Sequence, residues 1–289
     1  MRKIVLVLLG CIVLFSACQK IIEIELPEQE LVPVVNCLFT EGEPFKVHLS
    51  RVKAADSKTY AAIDDASVKL FDGDEFLGTL NSEGEGVYLD SAFLPKIGHS
   101  YSLEIKSPDD DAIRVEDFLP GISLQVLGHH FIQNAGIDDE GQSYSELRIE
   151  LSDSEDSENF YGISVLADPG VGKLFPLEIT SNDTKITNEI IVEDYPDILV
   201  FRDDQFNAST TVVSVRFSYD IATHFRLYSF SSDAFSYIRS LIIHNYTKEY
   251  DFWEVYEPIA VYSNVENAYG IFAGYSFRDY KITAKNPLP

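Results

Sequence analysis

The chain has 289 residues, a formal charge of −25 at pH 7, and a hydrophobic content of 45% with 12% aromatic residues. So acidic a surface repels nucleic acid and anionic headgroups, which excludes nucleic-acid binding. The apolar and aromatic content excludes a disordered chain, and the abundance of Val, Ile, Tyr, Phe and Thr favours strands.

Arg2 and Lys3 precede an apolar run from Ile4 to Phe15, and Ser16-Ala17-Cys18 follows. A positive, then apolar, then small-residue order marks an export signal. The run is also shorter than the ~20 residues a membrane-spanning helix needs. With a cysteine directly after the small residues, Leu14-Phe15-Ser16-Ala17-Cys18 resembles the lipobox of bacterial lipoproteins. The resemblance implies a signal peptide over 1–17, cleaved just before a diacylglyceryl-modified Cys18 that anchors the protein in the membrane. Cleavage removes Arg2 and Lys3 but no acid, so the formal charge becomes −27. Cys11 then leaves with the signal and Cys18 is acylated, so Cys37 has no partner for a disulfide. Cys37 lies in the apolar run Val34–Phe39 and reads as a small core residue rather than a nucleophile.

Residues 18–30 read as a tether, with Ile21, Ile22, Ile24 and Leu26 partly alternating with Glu23 and Glu25 before Pro27. Acids soon after the lipid cysteine resemble the surface-export signal of Bacteroidota lipoproteins. Residues 31–120 predict short strands at Leu31–Phe39, Phe45–Val52, Ala66–Phe71, Glu75–Leu80, Gly86–Asp90, Ser100–Lys106 and Ala112–Phe118. Asp72-Gly73-Asp74 is a hairpin signal, and Ser82–Gly86 reads as another turn. Evenly spaced strands with turns between them point to an immunoglobulin-like β-sandwich. Pro120-Gly121 marks the expected boundary with a second, β-rich domain over 121–289.

In that second half, Ser123–Ile132, Ser145–Ser152, Tyr161–Ala167, Leu174–Thr180 and Thr210–Asp220 have strand character. A single helix is predicted near 233–247. Ser231 or Ser232 can cap it, and Phe235, Ile238, Ile242 and Tyr246 fall on one face. Strands resume at Pro258–Tyr262, Gly270–Tyr275 and Tyr280–Thr283. The expected class is therefore mainly β.

Two stretches, Ile21–Glu28 with Val34–Phe39, and Glu257–Tyr275, resemble the Bacteroidota outer-membrane lipoprotein family known as domain of unknown function 4249. Asn159-Phe160-Tyr161 after an acidic turn, and a helix before Trp253, follow the same family order. Cys37 and Ala268 stand where the family pattern favours small residues such as glycine. The resemblance implies an immunoglobulin-like first domain, a β-rich second domain and a neighbouring TonB-dependent transporter, with no known chemistry.

No reactive constellation emerges from the residues themselves. His129 and His130 are adjacent on a strand and point to opposite faces, and no HExxH spacing occurs. Asp153, Glu155, Asp156 and Glu158 offer oxygens for calcium in a probable loop, but that loop lacks the glycine and terminal acid of an EF-hand. Gly162-Ile163-Ser164-Val165 lacks the last glycine of a nucleophile elbow. Tyr250, Phe252, Trp253 and Tyr256 form an aromatic cluster suited either to stacking on sugars or peptides or to closing a core. The expectation is a non-enzymatic lipoprotein of the outer membrane, facing the cell surface, without cofactor or metal. It would be an accessory or ligand-capture subunit of a TonB-dependent transporter. A stand-alone glycan- or peptide-binding or adhesion protein is the alternative.

Overall fold

The computed structural model describes residues 31–53, 59–139, 141–153, 158–187, 197–218, 221–249 and 259–283. The signal peptide, Cys18 and the tether lie outside the described residues. The fold is mainly β.

Period-two patterning builds the first half. In β1 (Pro33–Phe39), Val35, Cys37 and Phe39 turn inward, and in β6 (Ser100–Lys106), Tyr101, Leu103 and Ile105 do the same. Between them in the chain come β2 (Lys46–Arg51), β3 (Ser67–Asp72), β4 (Glu75–Gly84) and β5 (Val87–Leu89), and β7 (Ile113–Phe118) follows. They are ordered β1-β2-β5-β4-β3-β6-β7. β4 pairs with β3 as far as Leu80 and with β5 from Asn81 onward, so one strand serves two partners. Asp72-Gly73-Asp74 makes the expected β3–β4 reversal. The turn expected at Ser82–Gly86 begins later, because β4 continues to Gly84 and the reversal falls at Glu85 and Gly86, both at positive φ. Phe39, Phe45 and Phe272 are packed ring to ring at the centre of this first core.

The second half contains β8 (Gln125–Ile137), β9 (Ser143–Ser152), β10 (Phe160–Ala167), β11 (Phe175–Pro176), helix α1 (Thr184–Thr187), β12 (Leu199–Arg202), β13 (Thr210–Phe217) and β14 (Ala222–Phe230). Helix α2 (Ser232–Glu249) and β15 (Tyr269–Lys281) end the described chain. β13, β9 and β8 form a three-stranded sheet, whereas β11-β10-β14-β15 continues into β1. Leu147, Ile149 and Val215 from the small sheet meet Ile163, Val165, Phe225 and Leu227 from the large one, which makes a second core.

β15 belongs to both halves. Its first half runs parallel to β1, Val34 opposite Tyr269 through Phe39 opposite Gly274, and its second half runs antiparallel to β14. Phe272 fills the first core, Tyr280 packs on the second, and Ile271 and Ala273 lie under α2. The two strands expected at Gly270–Tyr275 and Tyr280–Thr283 are thus one strand, because pairing with β14 persists through Ser276-Phe277-Arg278-Asp279. The strand expected at Leu174–Thr180 shrinks to β11, where Pro176 supplies no donor for a longer ladder. Residues 259–262 form no strand. There α2 takes the backbone groups instead: Tyr262 N–H donates to Ser240 Oγ, and the His244 ring bonds the Ile259 carbonyl.

Candidate binding site

Helix α2 is fixed over the sheet by a polar joint. Ser231 is its N-cap, since Ser231 Oγ accepts from Ala234 N at 3.0 Å. The same hydroxyl donates to Asp117 Oδ2 on β7, which also accepts from Gly274 N at 2.9 Å. Burial pushes the Asp117 carboxyl up to about 6, against these hydrogen bonds. In the first turn of α2, Asp233 accepts from Tyr262 Oη at 2.7 Å and Asn264 Nδ2 at 2.8 Å. Burial and this carboxylate push Tyr262 up to about 12. Asn264 then imitates a strand neighbour for Phe272, accepting from its N–H and donating to its carbonyl.

Beside α2 the outer face of the large sheet stays partly uncovered. A cavity of about 280 Å³ is bounded by Leu38, Leu166, Pro176, Ile198, Tyr228 and Tyr275, with Ala234 and Ile238 of the helix at one side. Tyr228, Phe230, Tyr275 and Phe277 stand together on β14 and β15, with neighbouring ring centroids 5.6–6.4 Å apart. The Arg226 guanidinium sits 3.9 Å from the Phe277 ring centroid and forks onto Asp279 at 2.6 and 2.9 Å. That pairing holds the arginine pKa above its ordinary value. Ser164 Oγ donates to the Asp197 carbonyl at 2.8 Å. Arg226 and Ser164 are thus engaged within the protein, and the cavity offers a largely apolar, aromatic wall with a fixed cation at its margin. Nothing in local sequence joins these residues, because they come from separate strands brought side by side.

The profile of the DUF4249 family, a domain of unknown function, matches residues 19–281. The chain belongs to the DUF4249 family. No curated protein sequence matches this DUF4249 chain. Among solved structures it is similar to a DUF4785 family protein from Legionella pneumophila, at 12% identity and a TM-score of 0.25, over 68% of this chain and 52% of that one. It is similar also to a β-glucuronidase from glycoside hydrolase family 2, at 13% identity and a TM-score of 0.23, over 70% of this chain and 19% of that one. The DUF4249 chain thus spans about half the length of the first protein and a fifth of the second.

Most of the described part of the stretch at Glu257–Tyr275 becomes the joint around Asn264 and β15. Gly270, at φ +112°, passes so close to β1 that a Cβ would lie 1.9 Å from the Val35 carbonyl oxygen, and one on Gly274 would lie 2.3 Å from that of Phe118. Of the calcium candidates, Asp153 is buried and accepts from Ala208 N at 3.0 Å, while Glu158 accepts from Arg202 at 3.2 Å. Glu155 and Asp156 lie outside the described residues, as do Tyr250, Phe252, Trp253 and Tyr256. Among the described residues no group of three metal-ligating side chains converges. His129 packs against Phe225 and accepts from Thr283 N. A buried acid that sequence reasoning passed over is Asp203, which accepts from Asn159 N and Nδ2 and whose carboxyl is raised by burial. Cys37 is buried in the first core, and burial pushes its thiol up to about 12.

Proposed function

We propose that this DUF4249 protein is a non-enzymatic binding lipoprotein of the outer membrane. It is anchored through lipidated Cys18, faces the cell surface, and serves a TonB-dependent transporter as an accessory or ligand-capture subunit. The binding half of this reading rests on the cavity beside α2, where Leu38, Tyr228 and Tyr275 line an apolar wall. Such a wall, with a few fixed polar groups, suits capture. The committed hydrogen bonds of Arg226 and Ser164 leave these groups poorly placed to move protons. The anchor rests on the lipobox-like Leu14–Cys18, and the transporter on what the family resemblance implies.

The test is affinity purification of the tagged, lipidated protein from mildly solubilised outer membranes, followed by mass spectrometry. A β-barrel transporter in stoichiometric amount is the expected result. Recovery of the protein alone, under conditions that keep known outer-membrane complexes intact, would overturn the accessory role and leave stand-alone glycan or peptide binding.

A further inference from the structure

A second cavity of about 280 Å³ opens where the β8–β9 hairpin meets the end of β13, away from the residues that line the first. Its walls include Asp138, Asp139, Tyr144, Thr180, Asn182 and Arg216. Tyr144 faces Gly136 across the hairpin, and a Cβ on Gly136 would lie 2.6 Å from the phenol oxygen, so glycine makes room for the ring against β8. The Arg216 guanidinium stands 4.6 Å from the centroid of the same ring. Its backbone is held by reciprocal hydrogen bonds of 2.8 Å with Thr180.

With 47 acids to 22 basic residues, carboxylates are in excess, and Arg51, Arg148, Arg202 and Arg226 each pair with one. Arg114 and Arg278 make no ion pair among the described residues but are exposed, whereas Arg216 is half-buried. Arg216 lies opposite Glu146 in the β9–β13 register, and its charge acts on that carboxylate, yet it makes no ion pair and no side-chain hydrogen bond among the described residues. Five fixed N–H donors are therefore presented in a cavity that also holds carboxylate, amide and hydroxyl groups.

That mixture selects among ligands. A hydrocarbon would strip water from the guanidinium and give it nothing in return. An anion would face Asp138 and Asp139 within a strongly acidic molecule. A ring of neutral hydroxyls fits, since each hydroxyl can accept from Arg216 or Asn182 and donate to a carboxylate. We propose that this cavity binds one unit of a neutral saccharide, with Arg216 as its chief donor and Tyr144 as the support for that arginine. The inference rests on the binding-protein reading but not on the transporter.

The test is affinity electrophoresis of the full chain in detergent, through gels holding starch, laminarin, xyloglucan or yeast mannan, with polygalacturonate as the acidic arm. At least one neutral polysaccharide should retard the protein, with affinity falling about tenfold or more in Arg216→Ala and in Asn182→Ala. Arg114→Ala, on exposed β7 surface, should bind as the parent does. Asn182 is exposed, so its truncation leaves folding intact and keeps the test decisive if Arg216→Ala misfolds. Three results would overturn the proposal: no retardation by any neutral polysaccharide, retardation indifferent to both substitutions, or retardation by polygalacturonate alone. None of these bears on recovery of a barrel partner, so the two readings fail separately.

Discussion

The carboxylate of Asp117 and the hydroxyl of Ser231 are hydrogen-bonded across 114 residues of sequence. Because Gly274 N donates to the same oxygen, one acid ties β7, β15 and the cap of α2 together. Burial outweighs these bonds and raises the carboxyl from 3.8 to about 6.

The folded state therefore binds more protons than the unfolded state between those values. Stability from this group is fully present below about pH 4 and is lost as pH rises through about 6. Urea unfolding at pH 5 and pH 8 should show a pH-dependent loss that is smaller in Asp117→Asn than in the parent. Asp117→Ala, which leaves the Gly274 N–H without its acceptor, should cost about 1–3 kcal/mol at both pH values. An unchanged pH difference in Asp117→Asn would refute the assignment.

Gly270→Ala should be the most damaging single-methyl change in β15. The methyl would lie 1.9 Å from a backbone oxygen of β1, at a φ that side chains rarely adopt. A loss of roughly 3 kcal/mol is expected. Gly42→Ala, at φ +83° with open space around it, isolates the dihedral contribution and should cost about 1 kcal/mol. Equal losses in thermal unfolding would show that the contact with Val35 is relieved.

Asn264→Ala should leave the Phe272 N–H and carbonyl without their partner and cost about 2 kcal/mol. Hydrogen exchange reads it directly: the Phe272 amide should lose protection while the amides of β6 keep theirs.

Cys37 should be inert to Ellman's reagent in the folded protein, since its thiol is buried and pushed up to about 12. The mature lipoprotein should release one equivalent on unfolding. Two equivalents would contradict lipidation of Cys18.

Elements with strong local patterns were legible in the sequence. β6 falls on its expected residues, and α2 begins at the serine cap with Phe235, Ile238 and Ile242 on the sheet side, as their spacing requires. Other elements owe their state to distant partners. β14 mixes aromatic, basic and hydroxyl residues and owes its strand state to lying between β10 and β15, which local sequence does not reveal. The same reason hid both cavities. Tyr228 and Tyr275 are 47 positions apart and become neighbours only through the β14–β15 register, just as Tyr144 and Arg216 meet through β9 and β13. Glu257–Tyr275 carried the family likeness, and its described part serves the joint that holds α2 rather than a reactive group.

The central claim is that this lipoprotein serves a membrane transporter and binds through the apolar cavity beside α2. Leu38 lies on that cavity with its side chain exposed, and Phe76, on the β3–β4 hairpin away from the cavity, is more exposed still. A photo-crosslinking residue placed at either position in the lipidated protein, and activated in intact cells, tests the claim most directly. A barrel-sized adduct from position 38 and none from position 76 is the predicted result. No adduct from position 38, or the same adducts from both positions, would contradict it.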